Sequence, residues 1–203
     1  NKDNGGKLLL SLFSIAKKVK SVINYFRNGN TSYEHTGKLI MGQDLLPDIY
    51  YGIAEMPGVG CEIIATYNAM VLLGRRPSLR SIIFEFENNG SQWLWGWMGS
   101  NPKKIYKYLK SNRVSYVQYN SEDTLKNCSR IGEKLFIISF WTEKKTICSI
   151  HTVAVYYNGR KYMVYNFYNS DTVARAFDSL EQIYEEGRFI VAYYIQGPFI
   201  MLW

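Results

Sequence analysis

The sequence predicts an α+β domain, with helices in its first half and antiparallel strands in its second. Three observations carry that expectation. Apolar residues recur at steps of four and three from Leu8 to Phe26, the period of a helix. Residues 61–73 form an apolar run without a polar face, as a buried central helix requires. Beyond residue 115 the chain changes to short runs rich in β-branched and aromatic side chains, with Asn158-Gly159 between two of them. At 203 residues and 47% hydrophobic content the chain can bury a real core, which excludes wholesale disorder.

Taken in order, the first helix carries Leu8, Leu12, Ile15, Val19, Val22 and Phe26 on one stripe, with Lys17, Lys18 and Lys20 off it. It reads as a helical appendage, residues 1–30, docked on a domain of residues 31–203. Contact of this amphipathic helix with a membrane surface or a partner is the sharper alternative. Its apolar run is too short to span a bilayer. Lys2, Lys7 and the Ser14-x-Ala16 step resemble a secretory signal, but the apolar period continues past the supposed cut. Asn28-Gly29-Asn30 ends the helix, and residues 31–60 read as a loop punctuated by Pro47, Gly52, Pro57, Gly58 and Gly60. Gly74 stops the central helix. Ser78 caps another, bearing Leu79, Ile82, Ile83 and Phe86. Trp93, Trp95 and Trp97 follow in a glycine-containing loop, and Asn101-Pro102 opens a helix through Leu109.

Strands are expected at 115–119, 135–141, 150–157, 161–167 and 188–195. A capping box, Asp178-x-x-Glu181, starts one late helix that Gly187 stops. A two-residue turn at Asn158-Gly159 sets Val155 opposite Tyr162, Val153 opposite Val164 and His151 opposite Asn166.

The reactive side chains are few: Cys61, Cys128, Cys148, His35 and His151. Three cysteines make no disulfide framework, which favours a cytoplasmic setting; a Cys128–Cys148 bridge would require export. Cys148 and His151 point to opposite faces of one strand and no C-x-x-C occurs, so no metal site is expected. No phosphate-binding glycine motif or H-E-x-x-H is present, and no cofactor is expected. The net charge of +7 includes Lys103, Lys107 and Lys110 on one helical face; with no binding motif it does not point to nucleic acid. His35 reads as a surface residue.

Cys61 opens the buried helix after Pro57-Gly58-Val59-Gly60. Unpaired N–H groups at a helix start favour a thiolate and could hold an oxyanion, and the glycines would let a substrate approach. His151, with Asn166 across the hairpin, supplies a base whose ring an amide could orient.

A Cys opening the central helix of a helical half, followed by His and Asn on neighbouring strands, resembles the papain-like cysteine peptidases. The runs Gly60-Cys61-Glu62-Ile63-Ile64-Ala65 and His151-Thr152-Val153-Ala154-Val155, with Asn166 fifteen residues on, are most similar to the branch containing the bacteriocin leader peptidases of ABC exporters. The similarity is of order and spacing and covers roughly residues 50–195. It implies Cys61 as nucleophile, His151 as general base and then acid, and Asn166 as the orienting residue. The family places an oxyanion donor, Gln, six residues before the Cys; here that position is Glu55, and Gln43 or the Cys61 N–H would have to serve. Gly60, Trp95 and Trp97 would contact substrate. The implied reaction is acyl transfer on a peptide or amide: water as acceptor makes a hydrolase, an amine an acyltransferase. Glu55 favours a third outcome, a peptide-binding module without turnover.

Overall fold

The computed structural model describes residues 2–126, 132, 134–143 and 149–198, with only the backbone path over residues 2–10. Helix α1 spans Lys2–Arg27. It docks by its polar side: Ser21 and Asn24, with Asn28 just past its end, are buried, while Leu12, Ile15, Val19, Val22, Ile23 and Phe26 are exposed. The surface it meets explains this, because that surface is polar. Ser21 Oγ receives a hydrogen bond from the Asn88 amide at 3.0 Å. Asn24 Nδ2 donates to the Gly52 carbonyl at 2.9 Å and to Glu87 at 2.6 Å. Asn28 accepts from the Tyr50 N–H at 3.0 Å and donates to the Tyr50 carbonyl at 2.8 Å.

The segment that reads as loop contains a small hairpin, β1 (Tyr50–Tyr51) and β2 (Ala54–Glu55). Its turn needs Gly52, at φ 59°; a Cβ there would lie 1.7 Å from the Trp95 carbonyl oxygen. The hairpin leads into the short α2 (Met56–Val59) and the central α3 (Cys61–Leu72), all twelve residues of which are buried. Asn68 anchors α3 to the chain before it, exchanging hydrogen bonds with Ile40 N–H and carbonyl at 2.8 and 2.7 Å. Helix α4 (Leu79–Asn88) is capped by Ser78, whose hydroxyl accepts from Ser81 N–H. A 3₁₀ turn at Pro102–Lys104, capped by Asn101, precedes α5 (Tyr106–Ser111). Lys104 and Lys107 donate to the carbonyls of Gly90 and Asn89 at 2.8 and 2.6 Å. These two cations serve the chain leaving α4.

The second half forms one antiparallel sheet. Its strands are β3 (Ser115–Tyr119), β4 (Lys134–Trp141), β5 (Ile150–Tyr157), β6 (Tyr162–Tyr165), β7 (Arg175–Phe177) and β8 (Arg188–Gln196), ordered β3-β8-β4-β5-β6-β7. A short helix, α6 (Glu122–Lys126), follows β3. The mixed architecture is α+β. The late helix is only a 3₁₀ turn, Glu181–Tyr184. Gln182, not Glu181, reaches back to accept from Asp178 N–H at 2.8 Å.

The sheet separates two cores. One face packs Leu135, Ile137, Ala154, Tyr156 and Tyr193 with the residues of α3. The other gathers Phe136, Ile138, Val153, Val155, Val164, Leu180 and Ile183. Strands β5 and β6 pair as Val155↔Val164 and Tyr157↔Tyr162, two residues from the expected register. The connection is a four-residue loop over 158–161, because Asn158 Oδ1 accepts from both Arg160 and Lys161 N–H at 3.0 and 2.9 Å. A slip of two preserves which residues share a face. It removes the direct pairing of His151 with Asn166.

Candidate functional site

Cys61 is the first residue of α3 and is 7% exposed. Its Sγ lies 3.4 Å from Glu62 Oε2 and 3.7 Å from the Ile150 carbonyl oxygen, and Thr152 also hydrogen-bonds it. It therefore touches the residues on either side of His151. Burial and Glu62 push the thiol well above the usual thiol range, against a smaller opposing effect of Thr152. Glu62 is itself buried and is pushed up to about 7 by burial, in spite of hydrogen bonds from its own N–H and the thiol. The expected thiolate-favouring helix start is thus altered by one side chain. Glu62 occupies an N–H of the first turn and sets a carboxyl beside the sulfur.

The thiol faces a cavity of about 290 Å³ whose walls include Glu62, Trp93, Trp97, Ser100 and Trp141. Tyr51 Oη and Ser100 Oγ hydrogen-bond at 2.7 Å in that wall. His151 lies in a second cavity of about 450 Å³, with Phe140, Phe167, Tyr168, Tyr184 and Glu186. Ser149 borders both cavities.

His151 lies in register with Val153 and Val155, the side of β5 turned away from α3. Its ring meets Phe140 edge-on at 5.9 Å. Nε2 donates to the Asn166 backbone carbonyl at 2.7 Å. A carbonyl only accepts, so Nε2 carries a proton and the neutral ring keeps its lone pair on Nδ1. Burial lowers the His151 pKa, partly offset by the backbone of Asn166 and Phe167 and by Asp171. No hydrogen bond joins Cys61 Sγ to this ring among the described residues.

Several expected roles are corrected. Asn166 does meet His151, but by its peptide carbonyl rather than its carboxamide. It sits at φ 61°, where β6 has ended, and its Nδ2 donates to Gln43 Oε1 at 3.3 Å. Gln43 in turn donates to the Pro57 carbonyl. Its amide is engaged at both ends, and it does not line the Cys61 cavity where an oxyanion would form. Glu55 is exposed and accepts from Tyr50 Oη at 3.1 Å, outside the Cys61 cavity. Gly60 is buried beneath Met56, whose Cε would lie 2.6 Å from an added Cβ; its missing side chain makes room for Met56, not for a substrate. Trp97 lines the thiol's cavity, whereas Trp95 lies with Lys17, Lys20 and Glu87 and meets Phe13 edge-on at 6.1 Å. His35 is exposed, and its Nδ1 is 3.0 Å from the Arg76 carbonyl.

The residues missed by sequence reasoning are Glu62, Trp141 and Thr152. Glu62 had a signal: it is the one ionisable carboxyl in a helix otherwise apolar or neutral all round. Trp141 and Thr152 carried none, because their approach to Cys61 depends on how α3 crosses the sheet. Among the described residues no cluster of three His, Cys, Asp or Glu could hold a metal. Cys128 and Cys148, and the zinc and disulfide readings that use them, lie outside the described residues. Compared with protein-family models and with curated proteins, the chain matches none.

Proposed function

We propose that the protein is a papain-like thiol hydrolase that cleaves a peptide or amide bond through a Cys61 thioester. The observation that supports this reading is the place of Cys61. Its sulfur opens the buried helix, faces an aromatic-walled cavity and touches Ile150 and Thr152, the neighbours of His151. In turnover the S–H proton passes to His151 Nδ1 as Sγ bonds the carbonyl carbon. His151 then gives that proton to the leaving nitrogen, and water resolves the thioester to thiol and carboxylate. An amine in place of water makes the same site an acyltransferase. Sulfur and ring lie on opposite sides of β5, so the step requires the His151 ring to leave the Asn166 carbonyl and swing round the start of the strand to the sulfur when substrate binds.

A second reading, a peptide-binding module without turnover, is favoured by Glu62, which raises the thiol pKa rather than lowering it. Iodoacetamide alkylation near pH 6 separates the two. The hydrolase reading expects His151→Ala to slow labelling of Cys61 at least tenfold. A rate that His151→Ala leaves unchanged removes the catalytic reading, and peptide affinity retained in Cys61→Ser then supports the module.

A further inference from the structure

Helix α1 turns its apolar side away from the protein. Leu12, Ile15, Val19, Val22, Ile23 and Phe26 are 45–74% exposed. At about 100° per residue these six span an arc of roughly 100°, centred opposite the docked Ser21, Asn24 and Asn28. The stripe is not left over from incomplete docking, because Ser21, Asn24 and Asn28 already hold Asn88, Glu87, Gly52 and Tyr50. Lys18 and Arg27, both exposed, border the stripe on its two sides, the Arg27 guanidinium resting on the Tyr50 ring at 3.5 Å. The helix sequence carries Lys2, Lys7, Lys17, Lys18, Lys20 and Arg27 against the single acid Asp3.

We propose that α1 lies along the surface of an anionic lipid membrane, its stripe at the acyl boundary and its bordering cations among the headgroups. Charge complementarity selects this occupant. A wide apolar arc flanked by cations fits an acidic headgroup layer. A second copy fits poorly: stripe-to-stripe pairing would set Lys18 and Arg27 against their own kind without acids to oppose them. No helix among the described residues is long and apolar enough to cross a membrane, so the contact is parallel to the surface. The overall charge of +7 acts in the same direction. The inference uses neither Cys61 nor His151 and stands apart from the hydrolase reading.

The test is co-sedimentation of the full chain with vesicles of phosphatidylcholine alone and of phosphatidylcholine with phosphatidylserine. Binding is expected to the mixed vesicles only, and to weaken as salt is raised. Lys18→Ala should lower the partition coefficient about fivefold. The pair Ile15→Asp and Val19→Asp should lower it more than about tenfold. Both positions are exposed, so an unchanged unfolding transition identifies the loss as one of binding. The proposal is overturned by no sedimentation with mixed vesicles, by equal sedimentation with both kinds, or by binding that survives the paired aspartates. A lipid-free dimer that the same pair dissolves would assign the stripe to a second copy instead.

Discussion

Glu62 decides the electrostatics at the start of α3. Its folded pKa of about 7 is raised above the ordinary 4.5. Its contribution to stability is therefore whole below about 4.5 and is lost as pH rises through about 7. Glu62→Gln, neutral at every pH, should match the wild type near pH 4 and exceed it near pH 8 by up to about 3 kcal/mol. Urea unfolding at the two pH values measures this. The same variant should speed alkylation of Cys61, because it removes a cause of the raised thiol pKa; a slower rate would mean that the carboxyl assists the thiol. At this scale Cys61 was legible, since a helix start is marked locally by Pro57, Gly58 and Gly60. The role of Asn166 was not. Its carboxamide finds Gln43 across 123 positions, and its left-handed backbone brings the carbonyl to His151. Neither follows from local pattern.

Elements longer than five residues were read closely because their signals are periodic or capped. Strand β5 occupies Ile150–Tyr157 and α4 begins after Ser78, as expected. Strands β1, β2 and β7, of two or three residues, are too short to show a period. The β5–β6 connection departs from the expected two-residue turn because Asn158 folds its side chain over Arg160 and Lys161, an interaction a dipeptide motif does not reveal. Gly159 in that loop has φ 88° and nothing within 4 Å of an added Cβ. Gly159→Ala should cost about 1 kcal/mol from backbone strain alone, read as a shift in midpoint with no change in m-value. At the docked face of α1, Asn24→Ala removes the donor to both Gly52 and Glu87. It should cost about 1–3 kcal/mol and raise amide exchange in β1 and β2 before it does so in the large sheet.

For the whole molecule, the α3–sheet core carries the fold. Ile64 is fully buried within it, and Ile64→Ala should cost about 3–4 kcal/mol in denaturant unfolding. Two buried titrations also oppose each other across the sheet. His151 has a depressed pKa, so its contribution is whole above about 6.5 and is lost as pH falls through the folded value. Glu62 behaves in the reverse sense. Between about pH 5 and pH 7 the two groups therefore act on wild-type stability in opposite directions. With Glu62→Gln it should rise with pH over the same interval, and a wild-type slope as steep as the variant's would contradict the pairing of effects. That the second half forms antiparallel strands was visible in its runs of strand-forming residues. Which side of the sheet each reactive group faces was not, because that depends on how α3 crosses β5. The asparagines at the end of α1 and just beyond it have a further consequence. Asn24 and Asn28 satisfy the Tyr50 N–H and the carbonyls of Tyr50 and Gly52, acting as a surrogate strand along an edge that would otherwise invite another chain. That edge belongs to β1, which β2 and the short α2 join to Cys61. Trimming the chain to begin after residue 30 would leave that border unpaired, and self-association of such a truncation would report its exposure.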